Sequence, residues 1–271
     1  MNVRATWESV TRTVEREFSR STYAAVLADV PAALFQYWSE TSGDEFPRIP
    51  RDASFYAQSA EGLMMFFDCT AAAGKPCGLP SRAADAVWHA WTCMDAPGLD
   101  AFCIRHFGRT IPHVERAHMQ HDMGKALGAC LVQARRRASR PVAGPSLPQL
   151  FSLDARLGMP YGFGYRIIGG LVACAALDAF GNPEERVSFP KGLSPYGLFQ
   201  AGLISAAEYD EGVRLSDIPA FGVEGADNFI DYIGADMALD GDSGGGDGAA
   251  SCSGGSSCGG GCGGGGSCGS S

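Results

Sequence analysis

Asp85-Ala-Val-Trp88-His89-Ala-Trp91, then Phe107-Gly108-Arg109-Thr-Ile-Pro112-His113, then His118 and His121: this stretch decides how the chain is read. It holds all five histidines of the 271 residues, together with two of the four tryptophans and the cysteines Cys93 and Cys103. Pro80-Ser81 precedes a helix that carries Asp85, Trp88, His89 and Trp91. Pro97-Gly98 breaks that helix, because proline lacks the amide hydrogen and crowds the preceding turn. A short helix follows from Leu99 to about Phe107, and Gly108 suits the left-handed position that ends helices. Glu115 to Ala138 is the clearest helix, with Met119, Met123, Leu127, Cys130, Leu131 and Ala134 on one apolar stripe. Helices thus dominate the reading, and the expected fold class is mainly α.

On the N-terminal side, residues 5–19 read as an amphipathic helix, since Val10, Val14 and Phe18 recur every four residues. A second helix starts at Ser21 or Thr22 and carries Leu27, Leu34, Phe35 and Trp38, with Pro31 either kinking it or beginning a new one. Gly43 to Arg51 is a loop, and Asp52-Ala-Ser starts a third helix that ends near Gly74. On the C-terminal side, Arg135, Arg136 and Arg137 close the strong helix. They read either as cations favourable to the helix dipole or as a basic contact patch. Residues 141–165 read as an ordered loop with stacked aromatics, and 165–178 as a buried helix or a short strand, with the small-residue content leaning toward helix. Ser194-Pro195 starts a helix that runs to about Glu211. The expected organisation is a multi-helix, bundle-like domain over 1–140, a smaller loop-rich region with one or two helices over 141–235, and a disordered tail over 236–271.

Composition narrows the function classes. Residues 241–271 contain 15 Gly, 8 Ser and 4 Cys and no large apolar side chain, so nothing there offsets the entropy of ordering. The formal net charge is −9, of which −5 falls on residues 1–235. An acidic body does not favour general nucleic-acid binding. The N-terminus has no apolar signal core, and Glu8, Glu15 and Glu17 are foreign to a transit peptide. The longest small-apolar run, Ile167 to Leu177, is too short for a membrane span. The expected compartment is the cytosol, with the six body cysteines reduced.

Asp85 and His89 lie one helical turn apart, so the carboxylate can hold the imidazole. His118 and His121 share one face of the next helix, and His113 precedes it. Imidazoles with Cys103, Asp85 or Asp122 suit zinc or another divalent cation, although no paired Cys-x-x-Cys supports them. The competing reading is structural: Trp88 packs in the core, His89 bonds across a helix interface, and Arg109, which could also bind an anion, forks onto a carboxylate such as Asp85. Gly74-Lys75 lacks the spacing of a phosphate loop, Gly162-x-Gly164 lacks that of a dinucleotide fingerprint, and no Gly-x-Ser-x-Gly occurs. In the tail, Cys252, Cys258, Cys262 and Cys268 read as part of a passive flexible segment. Alternatives are a weak thiol-based metal or redox tether, or a substrate for ring formation.

Residues 80–115 resemble the glycine-rich domain-containing proteins, through Asp85, Trp88, His89, Phe102, Cys103, Phe107, Gly108, Arg109, Ile111 and His113. Trp91 stands where that family has a second histidine, and the Gly/Cys-rich tail is like that of its bacterial members. The resemblance implies a mainly helical domain and no agreed activity. The first function expected is therefore a non-enzymatic scaffold that meets a protein partner through its helical body. The alternative is a metal-binding protein or hydrolase-like enzyme centred on His89, His113, His118 and His121.

Overall fold

A computed structural model of the chain describes residues 3–113 and 123–215, with side chains from Ser9 onward. Nine α-helices lie within the described residues, and they carry most of the secondary structure. The expected helix start at Glu115, Met119, the segment 216–235 and the four tail cysteines fall outside them.

Helix α1 (Val3–Arg20) packs on α4 (Ala53–Ala73). Helix α2 (Ala24–Leu27) is a single turn. Pro31, in extended conformation, separates it from α3 (Ala32–Glu45), so a new helix begins there. Phe35 and Trp38 of α3 meet Phe55 and Tyr56 of α4 in an aromatic cluster, with ring centroids 5.0–6.1 Å apart where they face each other. The Asp52 carboxylate caps α4 by accepting from the Ser54 and Phe55 amides, and Gly74 ends the helix with φ +61°. Helix α3 runs past Gly43, which the sequence reading had put in a loop, and this extension delivers Glu45 to the site below.

Helix α5 (Arg82–Phe107) is two helices joined at a kink. The break falls at Asp95 (φ −161°, ψ 79°), two residues before the expected Pro97. Asp95 accepts from the Gly98 amide at 2.9 Å and so caps the second half, while Pro97 sits in a first turn that needs no amide. The N-terminus of α5 is braced by a buried carboxylate from α7 (Leu153–Leu157). Asp154 takes hydrogen bonds from the Ser81 hydroxyl (2.6 Å) and from the amides of Arg82, Ala83 and Phe163 (2.9–3.0 Å).

Helix α6 (Met123–Arg137) lies on α4. Its three terminal arginines occupy the last turn, as the dipole reading expects, but they do not form a free basic patch. Arg135 is 2% exposed and donates to the carbonyls of Ser146 and Val142, while Arg136 pairs with Glu208 and Arg137 with Asp68. One buried cluster runs from Val14 to Ile204 and joins the helical body to the segment that follows it.

Two expectations for that later segment are corrected. Residues 165–178 form strands, not a helix: β1 (Phe163–Ile168), β2 (Leu171–Leu177) and β3 (Pro183–Ser188) make an antiparallel sheet in sequential order. Ile168 faces Leu171 across Gly169-Gly170, whose φ values of 53° and 81° make the two-residue turn that a hairpin twist favours. The helix expected from Ser194 to Glu211 is also two, α8 (Pro195–Gln200) and α9 (Ala206–Leu215). Gly202 turns left-handed between them, and Ser205 with Glu208 forms a reciprocal capping box. Among the described residues no helix is long and apolar enough to cross a membrane. Five of the six cysteines there are buried, Cys93 being exposed.

Candidate metal centre

The first half of α5 packs against α3, and the residues that meet there are Glu45 from the end of α3 and Asp85 and His89 from one face of α5. After Gly108 ends α5, buried Ile111 anchors the chain and His113 returns to the same place. Its ring stands edge-on to Trp88 and to His89, each with centroids 4.5 Å apart. Trp88 is itself buried against Phe66 and Phe67, so the His113 ring rests on a rigid floor.

Both oxygens of Glu45 reach His89 Nδ1, at 2.8 and 2.9 Å. An ionised carboxylate only accepts, so Nδ1 carries the proton and donates. The lone pair of a neutral His89 then sits on Nε2, on the side of Asp85. Asp85 Oδ1 lies 3.6 Å from His89 Nε2 and 3.3 Å from His113 Nε2. One donor atom each from Asp85, His89 and His113 fall within 4.8 Å of one another, the single such group among the described residues. Bonds of about 2.0–2.2 Å to one ion, at right or tetrahedral angles, put donor atoms about 3.0–3.5 Å apart. Without an ion, Asp85 Oδ1 hydrogen-bonds His113 Nε2 at 3.3 Å, and His89 Nε2 stands 3.6 Å away, just beyond hydrogen-bond reach and close to the spacing of donors on one ion. The side chains are 13% (His89), 25% (His113) and 33% (Asp85) exposed, so the cluster opens to solvent on one side.

Of the expected residues, Asp85, His89 and His113 come together over Trp88. Arg109 does not join them: it is exposed on the turn after Gly108, and Asp85 faces the two imidazoles instead. His106, at the far end of α5, pairs with Asp29 at 3.0 Å. Cys103 is fully buried, burial pushes its thiol up to about 12, and it does not lie with the three grouped donors. Trp91 packs on Phe102 in the core, on another face of α5 from His89. His118, His121 and Asp122 lie outside the described residues. Glu45 was missed by the sequence reading. It stands 44 residues before His89, and only the crossing of α3 over α5 brings them together.

Residues 47–182, half of the chain, match the family described as UCP032817-like. The chain belongs to that family. The UCP032817-like span contains Asp85, His89, His113 and Asp154, together with β1 and β2; Glu45 lies just ahead of it. The family's description names no activity. No curated protein and no solved structure matches the chain.

Proposed function

We propose that this protein binds a divalent metal ion through Asp85, His89 and His113, and that the centre serves water-activating, hydrolytic chemistry. The observation that carries the reading is the convergence of two imidazole nitrogens on one carboxylate oxygen, at 3.3 and 3.6 Å. Glu45 completes it. A carboxylate on the far ring nitrogen of a histidine ligand fixes the tautomer and strengthens the donor. Two histidines and one carboxylate leave coordination positions open, and a metal so held supplies Lewis acidity to a bound water or carbonyl oxygen. The chain's own part is to orient: Trp88 fixes the His113 ring and Glu45 holds the His89 proton at Nδ1. A cytosolic setting accords with the free cysteines of the described residues. The scaffold expectation rests on no comparable juxtaposition of side chains and ranks second.

The tail thiols are competing ligands, so the test separates the two. Cobalt binding is measured by equilibrium dialysis on the full chain, on His113→Ala, and on a variant with Cys252, Cys258, Cys262 and Cys268 all changed to Ser. The expected result is about one ion bound by the wild type and the tail variant, and its loss in His113→Ala. Cobalt retained by His113→Ala but lost from the tail variant would overturn the assignment.

A further inference from the structure

Arg82 begins α5 three residues before Asp85 and seven before His89, so the three share one helix face. Its guanidinium carbon lies 5.3 Å from the centre of the Phe46 ring, and Phe46 stands edge-on to His89 with centroids 5.8 Å apart. Those two contacts hold the guanidinium within about 11 Å of the imidazole. The Arg82 backbone amide donates to Asp154, but among the described residues no ion pair joins its guanidinium to a carboxylate. Its Nε is buried without a hydrogen-bond partner there. The guanidinium thus lies against a ring with its Nε donor unspent, and a planar donor of this kind suits an oxyanion.

We infer that Arg82 is the anion-binding arm of the metal centre, and that the ligand of this site is a small molecule bearing an oxyanionic group, phosphate or carboxylate. The inference rests on the metal reading above. Planar guanidinium donors fit such groups in pairs. The local charge also decides the order of events. Without metal, Asp85 and Glu45 outweigh Arg82 and repel an anion. A divalent ion cancels both carboxylates and leaves Arg82 as the net charge, so the oxyanion binds only to the loaded centre.

The test titrates the cobalt-loaded full chain with inorganic phosphate and, separately, with acetate, by calorimetry. Arg82→Met keeps an apolar stem on Phe46, and Arg82→Lys keeps the charge without the fork. Expected is binding of at least one anion to the loaded wild type, and none to the metal-free protein. Arg82→Met should bind at least tenfold more weakly, with Arg82→Lys in between and cobalt content unchanged in both variants. Whichever anion binds more tightly identifies the group the ligand carries. Equal anion affinity in wild type and Arg82→Met would overturn the inference alone. So would loss of cobalt from Arg82→Met, which would make Arg82 a support of the metal ligands. A wild type that takes up no cobalt would overturn the metal reading and this inference with it.

Discussion

Asp154→Asn tests the brace that positions the site. Asp154 is 1% exposed, and its two oxygens accept four hydrogen bonds, two each. Burial pushes its carboxyl above the usual carboxylate range, against the pull of the donors from Ser81, Ala83, Arg82 and Phe163. Three of the four neighbours are backbone amides, and the fourth, the Ser81 hydroxyl, donates to Asp154 while it accepts from the Ala84 amide. The three backbone amides can only donate, so the contacts of both oxygens suit the ionised form, whose charge they stabilise against burial. Asparagine keeps one acceptor oxygen and turns its NH2 group on the other two donors. Two hydrogen bonds to a charged group, at about 1.5–3 kcal/mol each, are lost. Relief from burying a neutral amide in place of a charge offsets part of this, leaving a net destabilisation of about 2–4 kcal/mol. That is a large fraction of a total stability of about 5–15 kcal/mol. In urea titration followed by circular dichroism, with a slope of about 2–3 kcal/mol per molar, the midpoint should fall by about 1 M. An unchanged or raised midpoint would show that the carboxylate is not the acceptor described, and the account of how α5 is held would fail.

Three further outcomes follow from the same geometry. Glu45→Gln replaces the charged acceptor on His89 Nδ1 with a neutral one, and cobalt affinity by chelator competition should fall about 10- to 100-fold with the fold intact. An unchanged affinity would remove Glu45 from the centre. Arg135→Met leaves the carbonyls of Val142 and Ser146 without their donors. A loss of about 2–4 kcal/mol in urea unfolding is expected, whereas a surface cation at a helix end would cost under about 1 kcal/mol. Gly170→Ala forces a Cβ into a turn residue with φ 81°. Destabilisation of about 1–2 kcal/mol should appear as a lowered thermal midpoint, and no change would mean the hairpin turn is not of this type.

The helices were readable because their signals are local. Asp52 before Ala53, Gly74 after Ala73, Pro31 before Ala32 and Gly108 after Phe107 are caps and breakers that act within one turn of their own position. The sheet was misread for an instructive reason. Ile167 to Leu177 is uniformly small and apolar, and β2 is buried along nearly its whole length, so it shows no alternation. The Gly169-Gly170 pair between two apolar runs was the available signal for a hairpin. The split of the helix after Ser194 was likewise written locally, in Gly202 and in Ser205-Ala-Ala-Glu208.

By itself the sequence determined that the chain is mainly helical, that Asp85 and His89 share a helix face, and that the chemistry-bearing residues crowd into one segment. Each of these depends on spacing within a few residues, which backbone geometry converts directly into direction. Only the tertiary structure decided which histidines meet. His113 and Glu45 reach His89 from opposite sides in sequence, and His106, nearer to His89 in sequence than His113 is, turns away to Asp29. The crossing of α3 over α5 and the return of the chain after Gly108 are fixed by burial of Trp38, Trp88 and Ile111. Burial rewards apolar area without regard to sequence distance, and so it assembles a polar site that no local pattern announces.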